Sequence, residues 1–124
     1  MLRVALAGLL ALHGFAHLVG FAVPWRILQT EEMPYSTTLL AGRVDVGDMG
    51  IRAVGLVWLG LAMAFGVAAL GAWMQRPGWP DVAMTVAGLS LVFSVLGLPA
   101  SRIGIPVNLL ILAVLLGGAW AGRW

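Results

Sequence analysis

Four long apolar runs, parted by prolines and short polar breaks, constrain this chain more than any other feature. A helix needs about 20 apolar residues, or about 17 at the short end, to cross a ~30 Å hydrocarbon core. The first run extends from Val4 to Val23 and stops at Pro24, and the second extends from Met49 to Trp73. The third covers Asp81 to Leu98 and stops at Pro99, and the fourth covers Pro106 to Trp120. This pattern predicts an all-α fold, a transmembrane four-helix antiparallel bundle forming one domain over residues 1–124, with a long loop between helices 1 and 2. Arg3 ahead of the first run gives that run some likeness to a signal peptide. His13 and His17 interrupt it, and it is expected to remain as a helix.

Composition agrees with the pattern. Hydrophobic residues make up 61% of the chain before its 17 glycines are added, against about 45–50% with glycine included in soluble domains. Charged residues are only 10%, with no lysine, seven arginines and five acids. A soluble globule of this size needs far more polar surface than that. The same scarcity excludes a disordered tail and a nucleic-acid binder acting through a basic face. Zero cysteines exclude disulfides, thiolate metal sites and thiol catalysis.

Local signals fit four spans. Asp48 reads as an N-cap of the second helix, and Pro80-Asp81 suits the first turn of the third. Pro106 fits the first turn of the fourth, unless Ser101 caps that helix and leaves the proline one turn inside. Trp25, Trp73, Trp79, Trp120 and Trp124 fall at span ends, as interfacial aromatics do. Only Trp58 lies well inside a span. Residues 74–80 and 99–105 are tight connections, whereas residues 24–48 form a long loop holding Glu31, Glu32, Asp45 and Asp48. Within it, Thr37 to Ala41 reads as a short interfacial helix. Small pairs at four-residue spacing (Ala16/Gly20, Gly60/Ala64, Ala83/Ala87 and Ala113/Gly117/Ala121) favour close helix approach.

Arginine counts bear on orientation. Arg3, Arg76 and Arg123 stand on the termini side, and Arg26, Arg43, Arg52 and Arg102 on the first-loop side. With Arg52 and Arg102 read as facing into the bundle, the positive-inside rule places both termini in the cytoplasm. The expected location is a bacterial inner membrane.

Polar groups within the spans are few, and such groups tend to face the bundle interior. His13 and His17 share one face of helix 1. Four-residue spacing suits two interhelical hydrogen bonds, a polar ligand site, or weakly a metal or haem. An antiparallel bundle brings His17, Asp48, Arg52, Ser94, Arg102 and Asn108 to the first-loop side, beside Glu31 and Glu32, with His13 nearer mid-membrane. These residues outline a polar pocket opening towards the first loop. His13, His17, Asp48, Arg52, Ser94, Arg102 and Asn108 are its candidate ligand-binding residues.

Three stretches carry a resemblance: Leu12-His13-Gly14-Phe15-Ala16-His17-Leu18-Val19-Gly20-Phe21; Ala41 to Gly47 running into Gly55-Leu56-Val57-Trp58; and Ser90 to Leu110 with Leu98-Pro99, Arg102, Gly104 and Asn108. Together they resemble a group of small bacterial four-span membrane proteins with an HGxxHxxGF-type first helix. Leu98 stands where that group places an aromatic. Some members carry the label ABC transporter permease, but four short spans and a seven-residue second loop offer no element to couple to an ATPase. The resemblance implies the fold and the histidine pair, and no established activity, cofactor or catalytic residue.

Three functions compete on these residues. The first is binding of a lipid-soluble or amphiphilic molecule in the first-loop-side pocket. The second is an accessory subunit packing, as a homo-oligomer or within a larger membrane complex, in the lipid bilayer. The third is a membrane enzyme in which His13 or His17 moves a proton, with Asp48 or Arg52 as partner. No nucleophile–base–orienter set is visible.

Overall fold

The computed structural model describes residues 1–124 and contains four α-helices: α1 (Leu2–Ala22), α2 (Gly47–Trp73), α3 (Trp79–Leu96) and α4 (Gly104–Trp120). α1 packs on α2, α2 on α3 and α3 on α4. Each helix buries one stripe at helical spacing. On α1 the stripe is Leu6, Ala7, Leu10, His13, Gly14 and His17. On α2 it runs from Ile51 through Gly55, Trp58, Ala62 and Phe65 to Ala72. α3 contributes Ala83, Val86, Ala87, Ser90 and Ser94, and α4 contributes Asn108, Ile111, Leu115 and Gly118.

The outward faces are apolar too. Leu12 and Phe15 are each 73% exposed, Met63 67% and Val67 64%. Bundles that meet water on the outside do not expose such continuous apolar surface. Three of the helices are long and apolar enough to cross a membrane. α4 has 17 residues and lies at the short end of the spanning range.

Where lipid is the solvent, packing and interhelical hydrogen bonds hold helices together. Close approach is concentrated at glycines other than most of those in the four-residue pairs. A Cβ at Gly14 would lie 2.7 Å from Phe65 Cβ and 3.1 Å from the Ala62 carbonyl oxygen. One at Gly20 would lie 2.7 Å from the Trp58 ring. Gly60 and Gly117 instead face open space.

Several local expectations change. The start of α2 takes Val46 as N-cap and places Asp48 inside the first turn. Ser101 caps nothing, because its hydroxyl donates to the Ser94 carbonyl. Pro80 and Pro106 both occupy first turns, where a missing N–H is harmless.

Thr37–Ala41 forms no helix. Thr38–Leu39 (β1) pairs antiparallel with Val44–Asp45 (β2), Thr38 opposite Asp45 and Leu39 opposite Val44. A stretch of five residues with two β-branched threonines cannot repay helix nucleation. The turn between the strands has Leu40, Ala41 and Gly42 all at positive φ. Its N–H groups at Leu40 and Ala41 donate to the carbonyls of Leu96 and Leu98, at 2.8 and 2.9 Å. The hairpin thereby satisfies carbonyls left free where α3 ends and fastens the long loop across that end of the bundle.

Candidate functional site

Five buried polar side chains meet beneath this hairpin. His13 Nε2 lies 3.0 Å from Asn108 Oδ1, and the amide oxygen can only accept, so the ring donates. Asn108 Nδ2 donates to Ser90 Oγ at 2.9 Å and more weakly to Ser94 Oγ at 3.4 Å. His17 Nε2 lies 2.7 Å from Ser90 Oγ. His17 Nδ1 donates to the His13 carbonyl at 2.7 Å, one turn back on α1. The network joins α1, α3 and α4 through groups that would be costly to bury alone.

Local sequence explains the convergence. Ser90 and Ser94 are one turn apart and share a face of α3, as do His13 and His17 on α1. Gly104 leaves room for Ser94, since a Cβ there would lie 2.6 Å from the serine Oγ. Aromatic rings close the other side. Phe65 lies 4.9 Å from the His13 ring and 5.1 Å from the His17 ring, both edge-on. Trp58 lies 5.0 Å from His17, and its other neighbour is Phe93 at 6.3 Å.

A cavity of about 390 Å³ adjoins the network. His13, His17, Trp58 and Ser94 form its deep end, while Met33, Pro34 and Leu39 of the long loop line it from above. Its remaining walls are mostly apolar, including Val19, Ile51, Val54 and Val107. His13 Nδ1 has no hydrogen-bond partner and is not sealed from the cavity side, unlike Arg3 Nε, the single fully buried side-chain atom without one.

The structure therefore gathers His13, His17, Ser94 and Asn108, and leaves Asp48, Arg52 and Arg102 outside. Asp48 is at the surface, paired with Arg26 at 3.4 Å and hydrogen-bonded by the Tyr35 hydroxyl. Arg52 follows the inward-facing Ile51 and is turned about 100° away from it, so it is exposed, with its guanidinium 5.7 Å from the Trp25 ring. Arg102 is exposed in the turn before α4. Reading Arg52 and Arg102 as bundle-facing is thus corrected. Both count as surface charges, and four arginines on the first-loop side stand against three on the termini side. Ser90, fully buried at the centre of the network, is not among the candidate ligand-binding residues drawn from the sequence. Its signal was the seven-residue heptad-like alignment of Ala83, Ser90 and neighbours on one α3 face.

The loop above the cavity is pinned at its edge. Trp25 Nε1 donates to the Arg52 carbonyl at 3.1 Å, and the Arg26 guanidinium sits 4.3 Å over the Tyr35 ring. Donation from Arg26 to the Tyr35 phenol oxygen, with Asp48 nearby, holds the Arg26 pKa above its ordinary value.

As metal ligands the two histidines stand alone. No third His, Cys, Asp or Glu joins them in a ligand-sized group, and three of their four ring nitrogens are engaged by protein atoms. That donor set does not fit a closed metal centre. Comparison with known proteins finds no matching family model, no similar curated protein and no similar solved structure.

Proposed function

We propose that this small membrane protein holds a lipid-soluble or amphiphilic small molecule in the first-loop-side cavity. The observation that carries this reading is the cavity itself. It is about 390 Å³ and mostly apolar, with His13, His17 and Ser94 at its deep end and Ser36 and Thr38 as polar residues on the loop side. Ligand sites have this make-up: apolar walls with a few placed polar groups that set orientation. His13 Nδ1 and the cavity-lining Ser94 and Ser101 supply polar contacts for a headgroup, carbonyl or hydroxyl. Met33, Pro34 and Leu39 act as the cover over the apolar portion.

The network favours binding over proton transfer as the histidines' work. A neutral amide, Asn108, stands between His13 and Ser90, and an amide is a poor link for moving protons. Asp48 and Arg52, the partners expected for such transfer, are at the surface. The membrane is proposed to be a bacterial inner membrane, following the resemblance of the histidine-bearing first helix.

With only two histidines in the chain, ring ¹⁵N resonances give a direct test. Exhaustive delipidation in detergent should shift the His13 ring signals, and return of the extracted small-molecule fraction should restore them. Ring signals indifferent to both steps would count against the reading.

A further inference from the structure

The opposite end of the bundle holds a second cavity, of about 550 Å³, at the level of the termini. Arg3 from α1, Arg76 from the α2–α3 turn and Arg123 beyond α4 all line it. No acidic side chain does, and Asp81, the one acid on this side, is outside the lining. None of the three arginines forms an ion pair, since the structure's single salt bridge is Arg26–Asp48. None donates a side-chain hydrogen bond to a protein acceptor either. Nε of Arg3 is sealed from solvent and has no partner at all. Arg3 therefore meets the cavity with its other atoms, and three guanidinium groups line one space without a protein acceptor among them.

The cavity walls are stiff. Trp79 is buried and meets Trp124 edge-on at 5.4 Å, and Trp124 Nε1 donates to the Leu115 carbonyl at 3.2 Å. Around the same end, Trp73 and Trp120 are 64% and 94% exposed, as interfacial aromatics are at the headgroup level. Three arginines at that depth, with no acidic side chain lining the cavity, match a multi-oxygen anion. Guanidinium groups bind phosphate in bidentate fashion, and basic pockets between membrane helices hold phosphorylated headgroups.

We propose that the Arg3–Arg76–Arg123 cavity is a phosphate-binding site. The Arg3, Arg76 and Arg123 guanidinium groups donate to the phosphate through their terminal NH groups. The site is separate from the histidine cavity and does not depend on its occupant. The phosphate comes either from an anionic phospholipid of the adjoining leaflet or from a soluble phosphate compound.

Native mass spectrometry of the full chain separates the two sources. In detergent with equal phosphatidylglycerol and phosphatidylcholine, wild type should retain the anionic lipid about tenfold better. The Arg3→Gln/Arg76→Gln variant should lose that preference, and Arg43→Gln, on the other side, should keep it. Arg3→Lys keeps the charge without the guanidinium fork and should weaken retention several-fold. It serves as the readout if the double variant fails to fold. Inorganic phosphate that binds alone and displaces the lipid identifies a soluble source; retained lipid indifferent to phosphate identifies a headgroup. Equal retention of both lipids by wild type without phosphate binding overturns the proposal. So does a loss in Arg43→Gln equal to that in the double variant.

Discussion

The Nε2–H of His13 on α1 donates to Oδ1 of Asn108 on α4 across 3.0 Å, joining two helices that otherwise share little contact. Asn108 also donates to Ser90 and Ser94, so one amide ties three helices together. Asn108→Ala should therefore destabilise the bundle by about 1–3 kcal/mol, the range for stranding buried partners. Equilibrium unfolding in mixed detergent checks it, and an unchanged midpoint would mean that the amide is incidental.

Substitutions at His17 separate support from binding. His17→Gln retains an amide able to meet Ser90, and should unfold close to wild type. His17→Leu should cost about 1 kcal/mol, the scale of hydrogen bonds measured between membrane helices. Both should release a molecule held in the cavity, because both alter its polar end. A stable His17→Gln protein with full retention would reduce His17 to a packing role.

The α1–α2 seam is expected to be intolerant at one glycine and indifferent at another. Gly14→Ala forces its methyl to 2.7 Å from Phe65 Cβ, with the Ala62 carbonyl close behind. Overpacking of this kind costs roughly 1–3 kcal/mol. Gly8, also on α1, has nothing within 4 Å, and Gly8→Ala should be neutral or slightly stabilising through helix propensity. Thermal unfolding of the two variants side by side is sufficient.

Much of this arrangement was legible in the sequence. Hydropathy and prolines located the four helices, because spanning length and the loss of an N–H act locally. The inward orientation of His13 and His17 followed from the cost of burying unpaired imidazoles in hydrocarbon. Surface residues near helix ends were harder to place. Asp48 and Arg52 adjoin the site in sequence, yet a rotation of about 100° per residue decides between cavity and lipid interface, and the inward register is set by Gly55 and Trp58. The hairpin at 38–45 was missed because its stabilising partners, the Leu96 and Leu98 carbonyls, lie more than fifty residues away.

The hairpin junction carries a pH dependence. Asp45 accepts a hydrogen bond from the Gly47 N–H at 3.0 Å, and that bond, then one from Thr37, holds its carboxyl below the usual range. The folded pKa is depressed, so the contribution is complete above the unfolded carboxyl value near 4. It is lost as pH falls through the folded value. Amide exchange at Val46 and Gly47, corrected for intrinsic rate, should accelerate below about pH 4, and Asp45→Asn should remove that dependence.

The occupant of the histidine cavity is the central claim, and native mass spectrometry of gently extracted protein tests it most directly. Wild type should carry one dominant lipid-soluble species at one per chain. Val107→Trp, which fills the cavity from α4, should lose it, while the lipid-facing Gly60→Ala should keep it. A scatter of ordinary membrane lipids that is identical in all three proteins would contradict the account.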